Sequence, residues 1–142
     1  VYKRQIMDLK ILEIASNTEN HKVIKNYTHQ SKNKNSLCGD EMVISLIVKD
    51  DVVQDIGYQC RSCVYCQASV SLLSKWVMQE PIKKISDFIS KADFFFDGHF
   101  DQLKKNNIKD IKGFTEIMNL ENISRKECLL LPFRTLSKAL KF

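Results

Sequence analysis

The sequence predicts an α+β domain, and three observations predict it. A short segment with helical spacing comes first (residues 8–16), two β-rich runs follow and meet at a pair of aspartates (42–60), and every later periodic segment is helical. With 142 residues the chain has room for one domain around one core, and no repeat or second domain is visible. A hydrophobic content of 44% is ordinary for a globular protein, which excludes disorder along the whole chain.

In residues 8–16 (DLKILEIAS), Leu9, Ile11, Leu12, Ile14 and Ala15 fall close to one helical stripe. Residues 1–7, ahead of this stripe, are expected to be a non-native or disordered leader outside the fold. Residues 17–36 are rich in Asn, Ser, Lys and Thr and read as a polar connection. MVISLIVKD (42–50) and VVQDIGYQC (52–60) read as strands, and Asp50-Asp51 between them suits a tight hairpin. Both faces of the first run are largely apolar, so its centre is expected to be covered on both sides. After Cys63 the period changes. Ala68, Leu72, Leu73, Trp76 and Val77 recur at three- and four-residue spacing, a helix over about 65–79. Pro81 then opens a helix carrying Ile82, Ile85, Phe88 and Ile89. The aromatic run Phe94–Phe96 is expected in the core or at a partner contact, followed by a break at Gly98 and a short helical piece around 114–119. A last helix over about 127–141 offers Leu130, Phe133, Leu136, Ala139 and Leu140 for packing, with Pro132 expected near its first turn.

Charge and targeting signals narrow the function classes. The balance of 22 basic to 17 acidic residues gives +5, but the basic residues are scattered. The basic stretch 21–35 holds one aromatic, Tyr27, where a nucleic-acid surface would interleave several. It reads as a solvated segment or a docking surface for an acidic partner, and no nucleic-acid partner is expected. No apolar run approaches the roughly 20 residues that cross a bilayer, and no secretory signal opens the chain, so a cytoplasmic protein without a membrane partner is expected. No phosphate loop, serine elbow or paired-histidine helix motif occurs. His21, His29 and His99 are expected at the surface.

The cysteines carry the chemistry. Five in a reducing compartment argue against disulfides, and an odd count leaves one unpaired in any full scheme. Metal binding, thiol chemistry or plain burial then remain. Cys38 stands in Ser-Leu-Cys-Gly-Asp just before the first long strand, where Gly39 lets the backbone turn and Asp40 sets a carboxylate two positions from the thiol. Cys63 directly precedes a helix and Cys128 lies at the start of another, where the helix dipole favours thiolate. The three are 25 and 65 positions apart, so only folding gathers them. Three thiolates and a carboxylate would complete a tetrahedral zinc site, and would equally suit iron bridged by sulfide. Cys60-x-x-Cys63-x-x-Cys66 alone suggests a ferredoxin-like cluster, but no nearby fourth Cys-Pro follows. Cys60 and Cys66 are left as auxiliary thiols or packed side chains.

Three segments together resemble the iron–sulfur cluster assembly scaffold family of the IscU/NifU N-domain type. They are Cys38-Gly39-Asp40 before an apolar strand, Cys63 five residues before Ala68-Ser69-Val70-Ser71, and Arg125-Lys126-Glu127-Cys128 before an apolar helix. The long interval between Cys63 and Cys128 is similar to the SufU branch. The resemblance implies a domain over residues 8–142, a small antiparallel sheet of about three strands packed by helices on one face, and Cys38, Asp40, Cys63 and Cys128 as ligands. It implies zinc, iron or a [2Fe–2S] cluster as the bound species. A cysteine desulfurase would be the sulfur donor, and a downstream scaffold or recipient apoprotein the receiver. Cys38 would be the sulfur acceptor, with Asp40 holding or releasing the metal and Arg125 an auxiliary residue. The chain departs from the pattern at Cys60-Arg61-Ser62, where the family has Gly-x-Gly, and at Glu127, where IscU-type proteins have His. A scaffold and sulfur acceptor is the first reading. A zinc-dependent sulfurtransferase that never holds a cluster is the second, and a degenerate structural adaptor the third.

Overall fold

The fold grows from the hairpin that the two aspartates make. Asp50 (φ 54°) and Asp51 (φ 60°) both take the left-handed conformation, as a two-residue type I′ turn requires, and its twist matches that of the strands it joins. The structure is a computed structural model describing residues 2–35, 39–97 and 111–141. Cys38, Gly98 and His99 lie outside the described residues. The turn links β2 (Glu41–Lys49) to β3 (Val52–Arg61), paired antiparallel with a register shift between Ile47 and Val48. β1 (His29–Lys34) pairs antiparallel with the other edge of β2, completing a three-stranded sheet in the order β1-β2-β3.

β1 lies inside the stretch expected to be a polar connection. Its sequence, HQSKNK, has no apolar alternation, and only Ser31 is buried, donating its hydroxyl to the carbonyl of Thr135. The ladder to β2, this anchor and the hydrogen bond from Lys138 to the Lys32 carbonyl make it a strand, which is context overriding propensity.

One face of the sheet, carrying Met42, Ile44, Leu46, Ile56 and Tyr58, is buried in the core. Among the helices α1 (Tyr2–Ala15), α2 (Val64–Val77), α3 (Ile82–Ser90), α4 (Ile111–Ile117) and α5 (Lys126–Leu140), α2 and α5 pack on the sheet, α1 and α4 pack on α2, and α3 packs on α5. In α1 the expected stripe narrows. Ile11 and Ala15 are buried and Ile14 packs partly, while Leu9 and Leu12 remain 66% and 53% exposed. Between the helices, Trp76 stacks on Phe88 at 4.0 Å, and Phe95, Phe114 and Phe133 gather around Phe88 at 5.2–6.0 Å. Such ring pairs add about 0.5–1.5 kcal/mol each beyond the area they bury. Phe95 and Phe96 are therefore core residues, held in a 3₁₀ turn, Ala92–Asp97.

The opposite face is strapped at its centre by residues 17–28. Ile24 is buried there, Tyr58 donates its backbone N–H to the Asn20 carbonyl, and a Cβ on Gly57 would meet the Lys22 carbonyl at 2.6 Å. Gly57 is where the chain needs no side chain, because the strap crosses directly over it. β2 is thus covered on both sides at its middle, as its two apolar faces predict.

Pro132 departs from expectation. It is the seventh residue of α5, in the second turn rather than the first, because the helix begins at Lys126, directly after a 3₁₀ turn (Leu120–Arg125). With no N–H, Pro132 withholds the helical hydrogen bond from the carbonyl four residues back, that of Cys128.

Candidate metal centre

Strand register brings the first two site residues together. Glu41 pairs with Arg61, so Asp40 and Cys63 emerge from the same end of the β2–β3 ladder. Gly39 (φ +74°) makes the turn into the strand in a conformation that favours glycine. The loop is closed by Gly39 N–H donating to the Asn35 carbonyl and Asn35 N–H donating to the Asp40 carbonyl, both at 2.8 Å. Cys63 is the N-cap residue of α2, and Cys128 sits in the first turn of α5. A buried hydroxyl joins these two helices: Ser69 Oγ donates to the Leu129 carbonyl at 2.6 Å.

The result is one cluster. A carboxylate oxygen of Asp40 and the sulfurs of Cys63 and Cys128 all lie within 4.8 Å of one another. Asp40 is 5% exposed, as is Cys128, and Cys63 is half-buried. The carboxylate accepts the Cys63 backbone N–H at 3.1 Å (Oδ1) and its S–H at 3.5 Å (Oδ2). Two sulfurs and a carboxylate oxygen fit a borderline-soft divalent ion. Tetrahedral bonds of about 2.3 Å span sulfurs roughly 3.8 Å apart, so modest contraction would bring these three donors onto one ion.

The other candidates fall outside this trio. Cys66 is fully buried in the core, and burial pushes its thiol pKa strongly up, with the Ser62 hydroxyl working against the rise and the Asp40 carboxylate adding to it. Cys60 is half-buried, and burial likewise raises its pKa, with the Ser62 hydroxyl working against the rise and Asp40 adding to it. Neither is in a disulfide, and at both burial disfavours the thiolate. Cys60 lines a small cleft of about 130 Å³ with Ala15, Thr18, His21, Tyr58 and Gln67. Glu127 turns away from the trio to pair with Arg134, whose hydrogen bond lowers its carboxyl pKa. The exposed guanidinium of Arg125 lies 5.2 Å over the Tyr65 ring, linking the start of α5 to the first turn of α2. Sequence reasoning missed Asn35 as the loop's closing residue and Ser69 as the tie between helices. Ser69 stood in the Ala-Ser-x-Ser segment, but nothing in one sequence pairs it with Leu129.

A family model described as "NifU-like N terminal domain" matches residues 6–96. The iron-sulfur cluster assembly scaffold protein IscU of Thermotoga maritima is 32% identical over 135 residues, covering 92% of this chain and 89% of that protein. An uncharacterized protein of Borreliella burgdorferi is 25% identical over 86% of this chain and 82% of its own. Among solved structures, a putative iron-sulfur cluster assembly scaffold protein for the SUF system from Fervidobacterium islandicum superposes with a TM-score of 0.79 at 24% identity. It covers 92% of this chain and 93% of its own. The N-terminal part of a NifU-like protein from Brucella abortus reaches 0.75 at 22% identity, with 93% and 90% covered.

Proposed function

Because the chain belongs to the NifU-like N-terminal domain family, which includes iron–sulfur cluster assembly scaffolds, we propose that its Asp40–Cys63–Cys128 pocket assembles and passes on an iron–sulfur unit. The observation that carries this reading is the convergence of those three donors within 4.8 Å from separate parts of the chain. Cys38 stands two residues before Asp40 and is the proposed fourth ligand. Iron and sulfide are the cargo, and zinc fits the same donors as a resident ion.

Ligation needs thiolates, so loading releases protons. Asp40 already accepts the Cys63 S–H and so offers that proton a first acceptor. Its carboxylate also holds the Cys63 backbone, which keeps the thiol at the pocket while the proton leaves. Sulfur delivery is assigned to Cys38. Its thiolate attacks the outer sulfur of a persulfide on a cysteine desulfurase, the donor's S–S bond breaks, and the donor cysteine departs as thiolate.

The test is anaerobic reconstitution with iron(II), cysteine, a cysteine desulfurase and a dithiol that reduces persulfide sulfur to sulfide, followed by absorption spectroscopy, with mass mapping of Cys38 on a sample from which the dithiol is omitted. A visible-absorbing cluster lost in Cys63→Ala and Cys128→Ala supports the scaffold. Persulfide on Cys38 with zinc retained and no cluster would replace it with the zinc-dependent sulfurtransferase reading. Neither cluster nor persulfide would overturn both.

A further inference from the structure

The two thiols of the pocket sit on different helices, and the structure has a specific device between those helices. Ser69 lies in α2, six residues after Cys63, or about 9 Å along the helix axis. Its side chain is fully buried and donates at 2.6 Å to the carbonyl of Leu129, the residue that follows Cys128. The first turn of α5 is therefore held partly from outside, by a hydroxyl of the helix that Cys63 caps.

Two other buried serines of α2 make the contrast. Ser71 donates to the Asn17 carbonyl at 2.8 Å, and Ser74 accepts from the Asn20 side chain at 3.1 Å. Both fasten α2 to the strap rather than to α5. Ser69 alone among these three reaches the segment that carries a pocket thiol.

We propose that Ser69 is a positioning residue that sets the span between the Cys63 and Cys128 sulfurs, and through it the fit of the pocket for a metal ion. For metal affinity the inference rests on the pocket being a metal site; for the sulfur span it stands on the hydrogen bond itself. Residues that orient ligands from behind typically change metal affinity by about 10–100-fold when removed.

The test compares Ser69→Ala with Ser71→Ala, which deletes a hydroxyl equally buried in the same helix. Two readouts are taken on each folded protein. One is the yield of Cys63–Cys128 bridging by dibromobimane in metal-free protein, mapped by mass spectrometry. The other is cobalt(II) affinity from its visible ligand-field bands. Ser69→Ala is expected to cut bridging several-fold and cobalt affinity about 10–100-fold. Ser71→Ala is expected to leave both within about twofold at a similar loss of urea stability. Equal effects of the two variants would overturn the proposal. Ser69→Thr keeps the donor and is expected to restore both readouts, and it serves as the test should Ser69→Ala fail to fold. A folded Ser69→Thr as impaired as Ser69→Ala would assign the effect to packing and overturn it too. If the parent protein bridges its thiols but binds no cobalt, the metal reading fails while the bridging comparison still decides the role of Ser69. If it does neither, both fail.

Discussion

Replacing Gly57 with alanine places a methyl group where the strap crosses the sheet. Its Cβ would lie 2.6 Å from the Lys22 carbonyl oxygen and 3.0 Å from Ile24 Cγ1. A backbone atom cannot rotate aside as a side-chain tip can, so the strap itself has to lift. It is pinned by Tyr58 N–H to Asn20, by Ser71 to Asn17, by Asn20 to Ser74 and by the Lys22–Asp55 ion pair at 2.9 Å. Overpacking at such a site costs about 1–3 kcal/mol. Replacing glycine within a strand returns about 0.5–1 kcal/mol of backbone entropy. Because the clash is with the backbone of a pinned strap, the upper part of the overpacking range applies, and the net expectation is a loss of roughly 1–2 kcal/mol. In urea, at a slope near 1.5 kcal/mol per molar, the midpoint falls by roughly 1 M with the slope unchanged. Hydrogen exchange at the Tyr58 amide should accelerate at the same time, because that N–H donates to the strap. A Gly57→Ala protein within about 0.5 kcal/mol of the parent would refute the claim that a tight backbone crossing covers this face.

Other variants probe the thiols and the acidic residue beside them. Cys66 and Tyr58 are both held protonated by burial, Tyr58 up to about 12, so their contributions are fully present below their unfolded pKa values and are lost as pH rises through the folded ones. Metal-free protein should lose up to about 1.4 kcal/mol per pH unit for each such group above pH ~9–10, and Cys66→Ala should reduce the urea-measured slope by up to one proton. Glu127→Gln should leave cobalt affinity within about twofold, because its carboxylate faces Arg134. At this half-exposed pair it should cost only a few tenths of a kcal/mol. That contribution belongs to a lowered carboxyl pKa, so it is present above the unfolded value and should fade as pH falls through the folded one. Cys60→Ala should keep the parent's metal stoichiometry, measured by elemental analysis, since Cys60 lies outside the donor trio.

What could be read from the residues followed their physics. The two-aspartate turn, the helical period after Cys63 and the proline-led third helix are local signals, and each element formed where those signals stand. β1 was hidden because its polar side chains carry no strand pattern; its partners, Leu46 through Glu41, come later in the chain. Pro132 falls in the second turn of α5 rather than the first, because a helix that begins at Lys126 completes its first turn before residue 132. At the site, Asp40 and the cysteines stood out by residue type. Their convergence, the Ser69 tie and the diversion of Glu127 to Arg134 depend on contacts between distant segments, which no spacing rule reveals.

X-ray absorption at the zinc edge, on protein loaded with one equivalent of zinc, addresses the pocket at the level of atoms. A shell of three sulfurs near 2.3 Å and one oxygen near 2.0 Å is predicted, with one sulfur fewer in Cys63→Ala and in Cys128→Ala. A shell of nitrogen and oxygen alone, or a sulfur count that neither substitution changes, would contradict a metal centre built from Asp40, Cys63 and Cys128.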